Sequence, residues 1–204
     1  MIGIINYGSG NIQAIANIYN RNSTPYLFIS KPSEIKNADK LILPGVGAFD
    51  STMKELNASG LREALDEEVL VNNKPVLGIC VGMQILSDGS EEGKIKGLGW
   101  IKGQVKKFDI SQIKEKPFLP HMGWNNVKPL INHQLFHEVD ENLGFYFVHS
   151  YYFETKSPNN VLGLSFYGSQ FSSAVFDNHI IGVQFHPEKS HSNGIKLLSN
   201  FANL

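Results

Sequence analysis

The sequence predicts an α/β fold: a mostly parallel sheet flanked by helices, with antiparallel strands appended in the second half. Three observations carry this reading. In the first half, short apolar runs alternate with amphipathic stretches, the pattern of βαβ units on a parallel sheet. In the second half, strand-like segments follow one another across short polar or glycine turns. The 204 residues, 42% hydrophobic and 18% charged, suit one globular domain spanning 1–204.

The elements follow in order. Residues 3–6 read as a buried strand that ends at Tyr7-Gly8-Ser9-Gly10. Ile12, Ile15, Ala16 and Tyr19 place a helix over 11–21, and strands follow at 26–29 and 41–43, the latter stopped by Pro44-Gly45. Phe49, Met53 and Leu56 share one helical face, as do Leu61, Leu65 and Val69. Residues 75–79 form a fourth strand. Beyond it, strands are expected near 101–108, 119–127, 144–154, 161–167, 172–178 and 180–185, and a last helix near 192–203. Between 145 and 153, Phe145, Phe147, His149, Tyr151 and Phe153 share one strand face, opposite Tyr146, Val148, Ser150 and Tyr152. Such a strand is either buried on both sides or presents polar-tipped aromatics to a substrate or partner.

Several functions are disfavoured at once. The net charge is −1 with no basic tract, which argues against a nucleic-acid partner. No apolar run approaches the roughly 20 residues that span a bilayer, and the N-terminal run is too short for a signal peptide. Cys80 is the lone cysteine and cannot form an internal disulfide, which suits a reducing compartment; a cytoplasmic location is expected. Gly8-Ser9-Gly10 lacks the third glycine of a dinucleotide loop, since residue 13 is Gln13. His133 and His137 have helical metal spacing but no evident third ligand. Neither a cofactor nor a metal is expected.

The chemistry concentrates in two motifs. Gly78-Ile79-Cys80-Val81-Gly82 follows an apolar strand and precedes a helical stretch, the setting of a nucleophile elbow. The sharp turn would hold Cys80 at the start of a helix, whose N-terminal dipole favours thiolate. The Val81 N–H after it is placed to donate to an oxyanion. The second motif, Gln184-Phe185-His186-Pro187-Glu188, closes the segment 179–183. A cysteine nucleophile needs a base, and the base needs a group that orients it. His186 and Glu188 supply both, two residues apart across a proline.

Together these motifs resemble the class I (triad) glutamine amidotransferases. A narrower likeness covers essentially the whole chain. Tyr7-Gly8-Ser9-Gly10-Asn11, Pro44-Gly45-Val46-Gly47, the cysteine elbow with Met83-Gln84, Pro120-His121-Met122-Gly123-Trp124-Asn125, Tyr146-Phe147-Val148-His149-Ser150-Tyr151 and His186-Pro187-Glu188-Lys189-Ser190 are similar, in that order, to the glutaminase subunits of imidazole glycerol phosphate synthase. The family usually opens its first motif with Asp-Tyr-Gly, where this chain has Asn6.

The resemblance implies a catalytic Cys80, His186 and Glu188, with oxyanion donors from Val81 and Val46. It implies that Gly47, Gln84, Ser150 and Tyr151 hold the amino-acid end of glutamine. Tyr7, Ser9, Asn11, Met122, Trp124 and Tyr146 are expected at a partner interface. That partner is expected to be a (β/α)8 cyclase subunit, joined as a heterodimer, that consumes the ammonia for histidine synthesis. A paralogous glutaminase supplying another acceptor, such as a surface-glycan sugar, is the alternative. Gly45 and Gly47 flank Val46 and are expected to let its peptide reorient, so that a partner could gate the reaction.

Overall fold

The structure is a computed structural model that describes residues 1–114, 116 and 118–204. The four apolar runs of the first half become strands β1 (Ile2–Ile5), β2 (Tyr26–Ile29), β3 (Lys40–Gly45) and β4 (Val76–Cys80). They pair in parallel in the order β2-β1-β3-β4. The helical stretches become α1 (Ile12–Arg21), α2 (Phe49–Ala58), the short α3 (Arg62–Asp66) and the single turn α4 (Val81–Gln84). β1 is buried throughout and β3 and β4 nearly so, as unbroken apolar runs in parallel sheets are.

The second half supplies β5 (Gly89–Ser90), β6 (Gly103–Lys107), β7 (His121–Asn125), β8 (Lys128–Pro129), β9 (Phe145–His149), β10 (Tyr151–Thr155), β11 (Val161–Tyr167), β12 (Ser169–Asp177) and β13 (Ile180–Val183). β13 pairs in parallel with β4, and β12, β11 and β8 continue the sheet antiparallel. The main sheet therefore has eight strands in the order β2-β1-β3-β4-β13-β12-β11-β8. β5, β6 and β10 form a second sheet, and β7 pairs with β9. Helix α5 (His191–Ala202) closes the chain against α1, where the Tyr19 hydroxyl donates to the Leu198 carbonyl at 3.2 Å.

Three local expectations change. Pro44-Gly45 does not stop β3, which runs through both residues. β1 pairs with β3 only as far as Ile42, so Pro44 sits past the end of that neighbour, where its missing N–H breaks no ladder on that side. Leu61, Leu65 and Val69 are all buried, but their helix widens at Glu67–Val71, where the Asn72 N–H donates to the Glu67 carbonyl. The strand expected over 144–154 is two strands, because the chain changes partners at Ser150. His149 is the last residue paired with β7, and Tyr151 the first paired with β6. Along it Phe145, Phe147, His149 and Phe153 are buried, while Tyr146 and Val148 are half-buried, so the segment has one core face.

Candidate active site

The elbow forms where β4 meets α4. Cys80 has φ 55° and ψ −113°, a backbone conformation costly for a residue with a side chain. Such strain persists only where surrounding structure imposes it, and here two glycines show how tightly it does. A Cβ on Gly78 would lie 2.6 Å from the Gly82 carbonyl oxygen, and one on Gly82 only 1.9 Å from the Leu43 oxygen. The strand and the returning turn are in backbone contact, which only glycine allows. Gly82→Ala should destabilise the fold by about 3 kcal/mol, because both clashing groups are backbone and cannot rotate away. A denaturation midpoint equal to that of the unaltered chain would contradict this.

The candidate base lies in the turn after β13. The His186 Nδ1 is 2.8 Å from Glu188 Oε1, and both side chains are nearly inaccessible, at 4% and 1%. Ser190 fixes the backbone beneath this pair. Its hydroxyl donates to the His186 carbonyl at 2.6 Å and accepts the Tyr146 N–H at 2.9 Å. The His186 N–H in turn donates to the Tyr146 carbonyl at 2.9 Å. Burial by itself would lower the His186 pKa, but interactions with Cys80 and Glu188 outweigh it and raise the pKa well above the ordinary histidine value. The Nε2 is buried without a well-aligned partner, and the Cys80 sulfur beside it raises the pKa as a loose hydrogen-bond partner and by its charge. An imidazole held between a sulfur and a carboxylate, with its pKa raised by both, is suited to hold a proton and give it to a leaving group.

The third component is the loop after β3. The Val46 N–H donates to Ser9 Oγ at 3.0 Å, and the same hydroxyl donates back to the Val46 carbonyl at 3.0 Å. Thr52 Oγ1 adds a longer bond of 3.4 Å to that carbonyl, and the Tyr7 hydroxyl donates to the Pro44 carbonyl. The Val46 peptide is thus latched to the loop after β1. Its N–H is occupied and is not presented to an oxyanion. The expected freedom of the flanking glycines needs correction. Gly47 has φ +91° and open space around it, but Gly45 is packed, with a Cβ position 2.5 Å from the Gly82 nitrogen. Gly45 is a contact glycine beneath the elbow; Gly47 is the one with conformational freedom.

These parts meet in a cleft of about 420 Å³. Val46, Gly47, Cys80, Val81, Gln84, Ser150, Tyr151 and His186 all line it, with Glu188 behind His186. Gln84 Nε2 donates to the Tyr151 carbonyl at 3.0 Å and to Gln184 Oε1 at 3.0 Å, and Gln184 Nε2 lies 3.9 Å from the Cys80 sulfur. Two charged residues that sequence reasoning missed also line the cleft, Glu92 and Lys189. Glu92 accepts the Phe49 N–H at the start of α2 at 2.9 Å. Its place in a glycine-punctuated loop carries no periodicity signal, so only tertiary packing reveals it.

The expected interface residues divide. Met122 and Trp124 are exposed at 62% and 49% on β7, and Asn11 is exposed. Tyr146 is half-buried with its ring edge-on to Trp124, and Trp124 stacks on His191 at 5.3 Å. Tyr7 and Ser9, by contrast, are buried, and their hydroxyls turn inward to Pro44 and Val46. Both brace the loop after β3. Gly8-Ser9-Gly10 is a tight turn, with both glycines at positive φ. His133 lies outside any α-helix and accepts the Leu135 N–H at the start of a short turn.

Comparison with known proteins agrees with this geometry. The family model of class-I glutamine amidotransferases matches residues 4–203. The imidazole glycerol phosphate synthase subunit HisH of Bdellovibrio bacteriovorus is 48% identical over 204 residues, all of both chains. The same-named subunit of Leptospira interrogans is 47% identical, again over the full length of both. Among solved structures, a glutamine amidotransferase from Thermotoga maritima has a TM-score of 0.64 at 17% identity, covering 92% of this chain and 75% of that one.

Proposed function

The chain belongs to the class-I glutamine amidotransferases, and from that premise we infer that it is the glutaminase subunit of an imidazole glycerol phosphate synthase. One observation carries the reading: a strained cysteine elbow, a buried His186–Glu188 pair and the Val46 loop converge on one cleft in a chain related over its full length to such subunits. Glutamine enters that cleft with its carboxamide over Cys80. Glu92 supplies a carboxylate for the α-ammonium group, and Lys189 a cation for the α-carboxylate end.

The Cys80 sulfur attacks the carboxamide carbon, and the carbonyl oxygen takes up negative charge. His186, already cationic, passes its proton to the nitrogen as the C–N bond breaks, releasing ammonia and leaving a thioester. Water then attacks the thioester, His186 takes its proton, and glutamate departs with the sulfur restored. Glu188 orients the imidazole and stabilises its cation throughout. The oxyanion needs two donors: the Val81 N–H, and the Val46 N–H once Ser9 releases it.

Ammonia at neutral pH is mostly protonated and a poor nucleophile, so it has to be passed on shielded from water. The proposed recipient is a (β/α)8 cyclase held as a heterodimer in the cytoplasm, seated against Asn11, Met122, Trp124 and Tyr146. Glutamine hydrolysis measured with this chain alone, and again with the cyclase and its ligand, tests the assignment. No glutamate in either condition would refute it.

The Ser9 latch makes a sharper prediction. Ser9→Ala removes the only side-chain bond to the Val46 N–H and the shorter of the two to its carbonyl, leaving the longer Thr52 contact. The peptide is then free to turn its N–H to the oxyanion, and one such donor is worth roughly 10²–10³-fold in turnover. Basal glutaminase activity should rise about tenfold or more, and stimulation by the partner should shrink in proportion. Unchanged basal turnover with full stimulation would show that the latch does not gate the reaction.

A further inference from the structure

One wall of the cleft includes His149, which pairs with His121 behind it in a buried histidine pair that the mechanism does not use. His121 Nδ1 and His149 Nε2 are 2.9 Å apart, and both residues are buried. The direction of every bond around them can be worked out from the outer end. Asn125 Nδ2 is 2.9 Å from the Phe166 carbonyl, which only accepts, and Asn125 Oδ1 is 2.8 Å from the Asn126 N–H, which only donates. These two backbone groups fix the amide orientation. The same Nδ2 lies 3.1 Å from His121 Nε2, which must therefore accept. His121 then carries its proton on Nδ1 and donates to His149 Nε2. His149 in turn carries its proton on Nδ1 and donates to the Tyr151 carbonyl at 2.7 Å.

The inner end of this chain is the cleft. The Tyr151 carbonyl receives His149 on one side and Gln84 on the other, which uses both of its lone pairs. Gln84 continues through Gln184 to the neighbourhood of the Cys80 sulfur. The outer end is β7, which also presents Met122 and Trp124. Burial keeps both imidazoles neutral, lowering His121 to about 4 and His149 to about 3, the latter helped by its neighbour His121. The direction of the chain is therefore stable across the working pH range.

We propose that His121 and His149 are positioning residues: a one-directional hydrogen-bond chain that ties the exposed strand β7 to the Ser150–Tyr151 wall of the cleft and holds that wall for glutamine. The proposal rests on the glutaminase reading for its substrate, but not for its geometry. Phe108, Phe147 and Phe171 surround the two rings, so a phenylalanine at either position suits the packing while breaking the chain. Asparagine at 149 keeps an amide N–H near the Nδ1 position.

Two measurements test this. Histidine ¹⁵N NMR of the unaltered protein should show both residues as neutral Nδ1–H tautomers, against the Nε2–H form that a free histidine side chain favours. In the complex with the cyclase, His121→Phe and His149→Phe should raise the KM for glutamine about tenfold while kcat changes far less, and His149→Asn, which restores the bond to Tyr151 but not the link to His121, should recover part of the loss. A residue that only fills space would give the opposite order, with phenylalanine the better substitute. An Nε2–H tautomer at either position, or equal KM values for the two His149 variants, would overturn the proposal. If the unaltered complex did not hydrolyse glutamine, the proposed function would fall, while the NMR result would still decide whether the chain exists.

Discussion

Cys80→Ala should abolish glutamine-dependent synthesis by the assembled enzyme and leave ammonia-dependent synthesis intact. The sulfur is the only nucleophile at the elbow, and the backbone around it is built for that one position, with φ 55° at Cys80 and backbone contact at Gly78 and Gly82. No neighbouring side chain can take its place: Gln184 is an amide, and His186 is tied to Glu188. Loss of a nucleophile from a working triad costs on the order of 10⁴–10⁶-fold. In the proposed enzyme the acceptor reaction uses ammonia on the other subunit, so added ammonium salts should support product formation. Alanine is smaller than cysteine and Cys80 is 5% exposed, so the fold should survive the change. Glutamine turnover within tenfold of the unaltered enzyme would sink the assignment of Cys80.

The second large effect belongs to His186 and Glu188. His186→Ala removes both the proton donor and the stabilising cation and should cost roughly 10⁴-fold or more. Glu188→Gln keeps a side chain of the same shape that can still accept from Nδ1, so its loss should be smaller by at least about tenfold. The double variant should be no worse than His186→Ala, since the residues act as a unit. The Glu188 charge also predicts a pH effect. The raised His186 pKa comes from the Cys80 and Glu188 interactions acting against burial. Activity requires the protonated imidazole and falls as pH rises through that pKa. Removing the Glu188 charge takes away one raising cause, so the alkaline limb of kcat/KM should move to lower pH. An alkaline limb that stays in place would show that the carboxylate does not set the imidazole's charge.

Sequence reasoning reached the elbow because its constraints are local. Gly78, Cys80 and Gly82 obey steric requirements spanning five residues, and the strand before them is read from its own apolar run. The same holds for His186 and Glu188, whose pairing crosses one proline. The parallel half of the sheet was legible for a related reason: strands buried on both faces are unbroken apolar runs. Where an expectation failed, the deciding neighbour was remote in sequence. Pro44 ends no strand because β1 has already stopped at that level. Ser150 divides one apparent strand because the residues before it pair with β7 and those after it with β6. Tyr7 and Ser9, expected at a partner interface, have hydroxyls that turn inward because Pro44 and Val46, 37 positions away, offer them carbonyl and amide partners.

The sequence by itself therefore placed the candidate chemistry: the residue proposed to attack, the one proposed to carry the proton, and the one proposed to orient it. The tertiary structure alone decided the state of that chemistry. It showed that the Val46 N–H is occupied by Ser9, that Gly45 packs while Gly47 is free, that Glu92 and Lys189 reach the cleft, and that His121 and His149 connect it to β7. The physical reason is the range of the forces. A nucleophile elbow is set by backbone sterics among adjacent residues. A hydrogen-bond direction or a latched peptide depends on which distant group fills the last lone pair, and only the folded chain brings that group there.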